Sequence, residues 1–178
     1  MSSVAIKYPK VLVAVASKHG GTQDIAYGIA RILMGWGIVA DVRNIETDGE
    51  VDGYEAVILG SAVYRGSWLK SARQFVNKHA AELATRPTWL FSSGPIGKPL
   101  KPQFDEAVQI GEIIAKTKAR EHHVFTGKLD KRNLNLAERS IIKAIGLEEG
   151  DWRDWNDVGT WAVKIAKELR KRASIGQD

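Results

Sequence analysis

Along the chain, short apolar runs alternate with longer stretches in which apolar residues recur every three or four positions. Val11-Leu-Val-Ala-Val-Ala16 is a continuous apolar run rich in β-branched residues, the pattern of a strand covered on both faces. Ala56-Val-Ile-Leu59 and Thr88-Trp-Leu-Phe91 repeat that pattern, and His122-His-Val-Phe125 forms the last strand. Ile38–Ile45 mixes polar residues into its run, as a strand at a sheet edge does. Between the runs, Thr22–Trp36 carries Ile25, Ile29, Ile32/Leu33 and Trp36 at helical spacing and closes at Gly35-Trp36-Gly37. Trp68–Leu83 is helical, with Leu69, Ala72, Phe75/Val76 and Leu83 on one face. Pro102 opens a further helix that aligns Phe104, Val108, Gly111 and Ala115. Two helices close the chain, over about Asn133–Ile145 and Trp155–Arg172, the second with Asp154 as its N-cap. The stretch Glu46–Gly53, between the second and third strands, is too short for a full crossover helix and holds a single turn at most.

Five strands alternating with helices predict a parallel sheet with helices on both faces, a doubly wound α/β fold with an extra helix after the last strand. Nothing marks a domain boundary, so the 178 residues read as one domain whose core runs from about 10 to 172.

Composition narrows the chemistry. The chain has no cysteine, which removes zinc ribbons, iron–sulfur clusters, thiol nucleophiles and dithiol redox motifs. Any redox reaction must then run on an organic cofactor. Basic residues number 26 against 21 acidic, a net +5 that permits anionic partners without demanding one. Nucleic acid is not among the expected partners, because the basic strip Lys116–Lys143 carries only Phe125 as an aromatic and matches no recognition module. The first residues lack the apolar run of a signal peptide and no stretch is long enough to span a bilayer, so the expected location is cytoplasmic. Peripheral membrane contact stays open through the helix after the last strand, where Leu134, Ala137, Ile141, Ala144 and Ile145 share one side. The ordinary expectation for that side is packing on the protein's own core. His122 and His123, neighbours on a strand, point to opposite faces and suit no shared metal.

Ligands of open α/β sheets bind at the carboxyl ends of the strands. Three loops meet that description. Ser17, Lys18, His19, Gly20, Gly21 and Thr22 join a buried strand to a helix, combining glycines, two hydroxyls and a helix N-terminus worth about half a positive charge. A phosphate monoester suits such a loop. The segment is neither GxxxxGK[ST] nor GxGxxG, and no acidic residue ends the second strand, which favours a mononucleotide over ATP or a dinucleotide. Ser61, Ala62, Val63, Tyr64, Arg65, Gly66 and Trp68 form the second loop, where an aromatic face can meet a planar ligand. Trp68 reads equally well as a packing residue at the start of its helix. Ser92, Ser93, Gly94, Pro95, Ile96 and Gly97 form the third, whose glycines let backbone approach a ring edge.

These motifs together resemble a flavodoxin-type FMN domain. Over Lys10 to about Arg170 the chain is similar to the flavodoxin-fold relatives of menaquinone-dependent protoporphyrinogen dehydrogenase. The matching stretches are Ser17–Thr22, Gly60–Gly66, Phe75–His79, Val124–Leu129 and Asp154-Trp155. The resemblance implies a flavodoxin-like five-stranded sheet in the order 2-1-3-4-5, with FMN as cofactor. It implies phosphate contacts at 17–22 and flavin-ring contacts at 61–66 and 92–97. It further implies an FMN-dependent oxidoreductase or electron-transfer protein, working with a redox partner protein, a quinone or a small-molecule reductant. The flavin carries the chemistry, so no side chain is assigned as a catalytic acid or base. Two alternatives accompany this reading: a protoporphyrinogen dehydrogenase-like enzyme passing electrons to a quinone, and an interaction or regulatory protein that keeps the fold without FMN. His19 stands where carrier flavodoxins usually have a second threonine, Tyr64-Arg65 exchanges the order of the dehydrogenases' ring loop, and Lys128–Ile145 lacks their aromatics. The net charge of +5 also separates the chain from the strongly acidic carriers.

Overall fold

The computed structural model describes residues 8–64, 66–94, 110–144 and 146–175. The start of the helix expected from Pro102, Arg65 and Pro95–Gly97 of the ligand loops, and the end of the helix expected at Ile145 lie outside them.

β1 (Val11–Ala16) is buried along its whole length and lies inside the sheet, one strand from its edge. Its neighbours are β2 (Ala40–Asn44) and β3 (Ala56–Tyr64), followed outward by β5 (Thr88–Ser93) and β6 (Glu121–Phe125), all parallel, in the order β2-β1-β3-β5-β6. β4 (Ser67–Trp68) is a two-residue antiparallel addition to the end of β3, so the five parallel strands keep the expected 2-1-3-4-5 sequence of positions. Alternation along β1 sends its side chains to two separate cores. Val11, Val13 and Val15 meet Ile25, Ile29 and Leu33 of α1 (Gly21–Gly35) and Val158, Trp161 and Ile165 of α5 (Trp155–Ile175). Leu12, Ala14 and Ala16 meet Ala72, Phe75 and Val76 of α2 (Lys70–Ala84) and Ile113 of α3 (Gly111–Thr117). The sheet is therefore covered on both sides, as its uninterrupted apolar strands require.

Several boundaries move. β3 continues five residues beyond Leu59, through what the sequence reads as loop, because the hydroxyl of Ser61 finds partners: it donates to the carbonyl of Ala62 (2.8 Å) and accepts from the N–H of Leu69, just after β4 (3.0 Å). β5 likewise runs on to Ser93, and Trp68 belongs to β4, with α2 opening only at Lys70. The link between β2 and β3 contains a turn at Ile45–Thr47 and no helix. Val51 plugs it into the second core, and Arg86 holds the carbonyls of Val51 and Tyr54, each at 2.8 Å. Asp154 caps α5 as expected, its Oδ1 accepting the N–H groups of Asn156 (2.9 Å) and Asp157 (3.2 Å).

The largest departure follows β6. A short strand β7 (Lys128–Leu129) pairs antiparallel with β8 (Gly150–Asp151), and between them lie a 3-10 turn at Lys131–Asn133 and α4 (Leu136–Ala144). α4 begins three residues later than expected because Asn135 and Glu138 cap it reciprocally: the Asn135 side chain accepts from Glu138 N–H and Glu138 Oε2 accepts from Asn135 N–H, both at 2.9 Å. Its apolar side does not pack on the core. No residue of α4 is buried, Leu136 is 82% exposed and Ile141 50%, and Leu134, just before the helix, is the residue that enters the interior.

Candidate functional site

The registers bring the three loops together at the carboxyl edge of the sheet. Ala16 lies beside Ser61, Ser61 beside Ser92, and Ala62 beside Ser93. The chain leaving β1 turns at Gly20, whose φ of +83° falls in the left-handed region that favours glycine, and its N–H donates to Ser17 Oγ at 3.1 Å. α1 starts at the next residue with no side-chain cap. Its first N–H groups have no acceptor within the helix and carry the positive end of its dipole. A Cβ built on Gly20 would meet nothing within 4 Å, so this donor-rich turn faces open space. Thr22 is buried in the first helical turn.

The second loop is the end of β3 and its turn back into β4. Tyr64 is 41% exposed, and Lys18 Nζ of the first loop lies 5.6 Å from the centre of its ring. Burial, with the charge of Glu138 nearby, holds the Tyr64 hydroxyl above its ordinary pKa, so it stays protonated. Gly66 turns with φ +75°. Trp68 is buried in the second core and its indole N–H donates to Ser92 Oγ at 2.8 Å, so it supports the loop from beneath rather than offering a face at the edge. In the third loop Ser92 and Ser93 are buried strand residues, and Gly94 (φ +121°) donates its N–H to the carbonyl of Phe125 at 2.9 Å while facing Val63. Six of the nineteen candidate ligand residues thus form the first loop, six described residues the second, and Ser92–Gly94 the third; Arg65, Pro95, Ile96 and Gly97 lie outside the described residues.

The two histidines of β6 separate as expected: His122 Nε2 meets Ser92 Oγ at 2.8 Å, whereas His123 Nε2 meets Asp157 at 3.0 Å and its ring packs near Phe125 and Trp161. Among the described residues no three His, Asp or Glu side chains gather as metal ligands, and no helix is long and apolar enough to cross a membrane.

Two residues at the first loop were not singled out from sequence. Arg153, with its side chain 7% exposed, bridges Asp24 of α1 (2.8 Å) and Asp151 of β8, lies 3.4 Å from the carbonyl of Gly21 and stacks 4.9 Å from the centre of the Trp155 ring. It fastens the opening turn of α1 to the strand pair after the sheet. Glu138 of α4 forms an ion pair with Lys18 and lies 3.3 Å from His19 Nε2, within hydrogen-bond reach. The spacing Asn135-x-x-Glu138 is visible as a helix-capping pattern, but nothing local reveals that its carboxylate lands on the first loop. The Lys18 ammonium, then the N–H of Asn135, hold the Glu138 carboxyl down at about 2, from an ordinary value of 4.5. A depressed carboxylate contributes to stability above its unfolded pKa and loses that contribution as pH falls through the folded one. Hydrogen exchange is expected to find α4 protected above pH 4.5 and progressively released as pH drops towards 2, and Glu138→Gln is expected to remove this dependence.

Residues 12–156 match the family described as Flavodoxin domain. The chain is 26% identical over 171 residues to protoporphyrinogen IX dehydrogenase (quinone) of Escherichia coli strain K12, covering 88% of this chain and 94% of that one. Among solved structures it is similar to a flavodoxin from the domain Archaea (TM-score 0.62, 14% identity, 90% of this chain and 99% of that one). Oxidised Flavodoxin 1 from Bacillus cereus gives a TM-score of 0.62 at 17% identity, with the same coverage. Rubredoxin oxygen:oxidoreductase from Desulfovibrio gigas matches over 91% of this chain and 36% of its own, at a TM-score of 0.62 and 15% identity. These structural likenesses concern the fold.

Proposed function

The chain belongs to the flavodoxin domain family, and from that premise we propose that it binds FMN across its three loops and acts as a cytoplasmic FMN-dependent oxidoreductase or electron-transfer protein, its core from about 10 to 172 working as one domain. The observation that carries this reading is the turn at Gly20: a left-handed glycine with free space before it, a helix N-terminus without a side-chain cap, and the hydroxyl residues Ser17 and Thr22 on either side. That donor set fits a phosphate monoester. Ser17, Lys18, His19, Gly20, Gly21 and Thr22 would hold the phosphate, and Ser61–Gly66 with Ser92–Gly97 would flank the flavin, Tyr64 supplying an exposed aromatic face. Trp68 and Ser92 hold the ring loops in place through their hydrogen bond. FMN, when bound, supplies one- and two-electron transfer; the chain's residues bind it, orient it and set how far water reaches its ring.

The direct test is the colour of the purified protein, with chromatography of the released pigment. FMN is the expected pigment. FAD would contradict the mononucleotide loop, and a colourless chain that takes up no added FMN would leave the third reading, a flavodoxin-fold interaction protein, in its place.

A narrower reading follows from the 26% identity to the E. coli dehydrogenase over 88% of this chain. In it, electrons pass from a porphyrinogen or another small-molecule reductant to a quinone. Turnover stimulated by a soluble quinone supports it, and a yellow protein inert with every quinone but reduced rapidly by a reductase protein favours a shuttle with a protein redox partner.

A further inference from the structure

Glu138 and Lys18 are 120 residues apart in sequence, yet their side chains meet. The carboxylate is used at both oxygens: Oε1 faces Lys18 Nζ and His19 Nε2, and Oε2 accepts the N–H of Asn135. Its side chain is only 16% exposed, although no residue of the helix that carries it is buried. Arg139 of the same helix bonds to the carbonyls of Lys131 and Leu134, which ties α4 to its own segment and not to the sheet. The carboxylate of Glu138 is thus a polar link by which α4 holds the first loop, and the two side chains it holds, Lys18 and His19, are among the groups assigned above to the ligand's phosphate.

Resting on the reading of residues 17–22 as a phosphate loop, we propose that Glu138 is a resident anion that competes with the ligand's phosphate for Lys18 and His19, so that phosphate binding releases α4 and docked α4 weakens phosphate binding. Two anions cannot both keep the Lys18 ammonium and the His19 ring without repelling one another across a short distance. A phosphate monoester carries about −1.5 to −2 at pH 7 against the carboxylate's single charge. It also gains the N–H groups at the start of α1, which a side chain from α4 need not use, and so has the differential affinity that a shift in α4 demands. Because the coupling is between two binding equilibria, it acts equally in both directions.

The experiment is hydrogen exchange on the flavin-free chain, with inorganic phosphate, riboflavin and sodium chloride of matched ionic strength as additions, beside FMN titrations of the parent chain and Glu138→Gln. Glutamine at this position can keep the reciprocal cap with Asn135, so the variant removes the charge that docks α4 without removing the cap. Phosphate is expected to speed exchange at 136–144 by about fivefold or more, with riboflavin inactive, and Glu138→Gln is expected to exchange fast without phosphate and to bind FMN about fivefold or more tightly. The proposal is overturned if phosphate leaves α4 unchanged, if chloride releases it equally well, or if Glu138→Gln binds FMN no better. Release of α4 by phosphate in a chain that takes up no FMN supports the proposal and sinks the FMN reading. Normal FMN binding that is indifferent to Glu138 does the reverse, and a loop that binds neither overturns both.

Discussion

Gly20→Val is expected to leave the sheet folded and to raise the Kd for FMN roughly 100-fold, about 2.7 kcal/mol. Gly20 turns at φ +83°, where a β-branched residue is strained by about 1–3 kcal/mol. The loop relieves that strain by rotating out of the left-handed region, which swings the N–H groups before α1 away from a common centre. Each lost hydrogen bond to a charged phosphate costs about 1.5–3 kcal/mol, so one or two such losses produce the expected weakening. The fold is spared because a Cβ at this position meets nothing within 4 Å. Fluorescence titration with FMN and with riboflavin checks it. Riboflavin, without a phosphate, should be nearly indifferent to the change, and an FMN affinity equal to that of the parent chain would mean the phosphate lies elsewhere.

Gly60→Ala acts on stability instead. In the sheet register Gly60 stands beside Phe91, and the ring lies across it: an added Cβ would sit 2.0 Å from Phe91 Cζ and 2.2 Å from Cε1. The ring cannot retreat cheaply, since Phe91 is fully buried with Phe125 at 5.8 Å and Trp161 at 6.2 Å between ring centres. Overpacking of this kind costs about 3 kcal/mol, at the upper end of the usual range. In a chain of this size that corresponds to a melting temperature lower by about 6–12 °C. Adding Phe91→Leu should recover part of the loss, because the two positions share one space. Thermal unfolding of the single and double variants measures both effects; a single variant as stable as the parent would show that the ring is freer than its packing indicates. The same substitution bears on function, since β3 carries Gly60 directly into the loop that begins at Ser61.

Local periodicity made most of the architecture legible. Short uninterrupted apolar runs rich in β-branched residues, such as Val11–Ala16, read as strands covered on both faces, and the helical spacing of Ile25, Ile29 and Leu33 fixes the side of α1 that packs against them. Gly35-Trp36-Gly37 ends that helix and Asp154 starts the last one through interactions within a few residues. The position of the first loop, between a buried strand and a helix, follows from the same short-range logic. The boundaries at Leu59 and Phe91 did not, because a serine in an apolar run reads as the end of a strand unless its hydroxyl finds a partner. Ser61 finds its partner in Leu69, across the turn into β4, and Ser92 finds Trp68, 24 residues earlier in the chain.

The sequence by itself determined the alternation of strands and helices, the two cores on either side of β1, the absence of any cysteine-based redox centre and the glycine turn that begins α1. Tertiary structure alone decided that Trp68 is buried under its loop, that α4 leaves its apolar side in solvent, and that Arg153 and Glu138 reach the first loop from far along the chain. The division has one physical cause. Strand and helix patterns are written by neighbours within a few residues, whereas an ion pair across 120 positions depends on the path of everything between them.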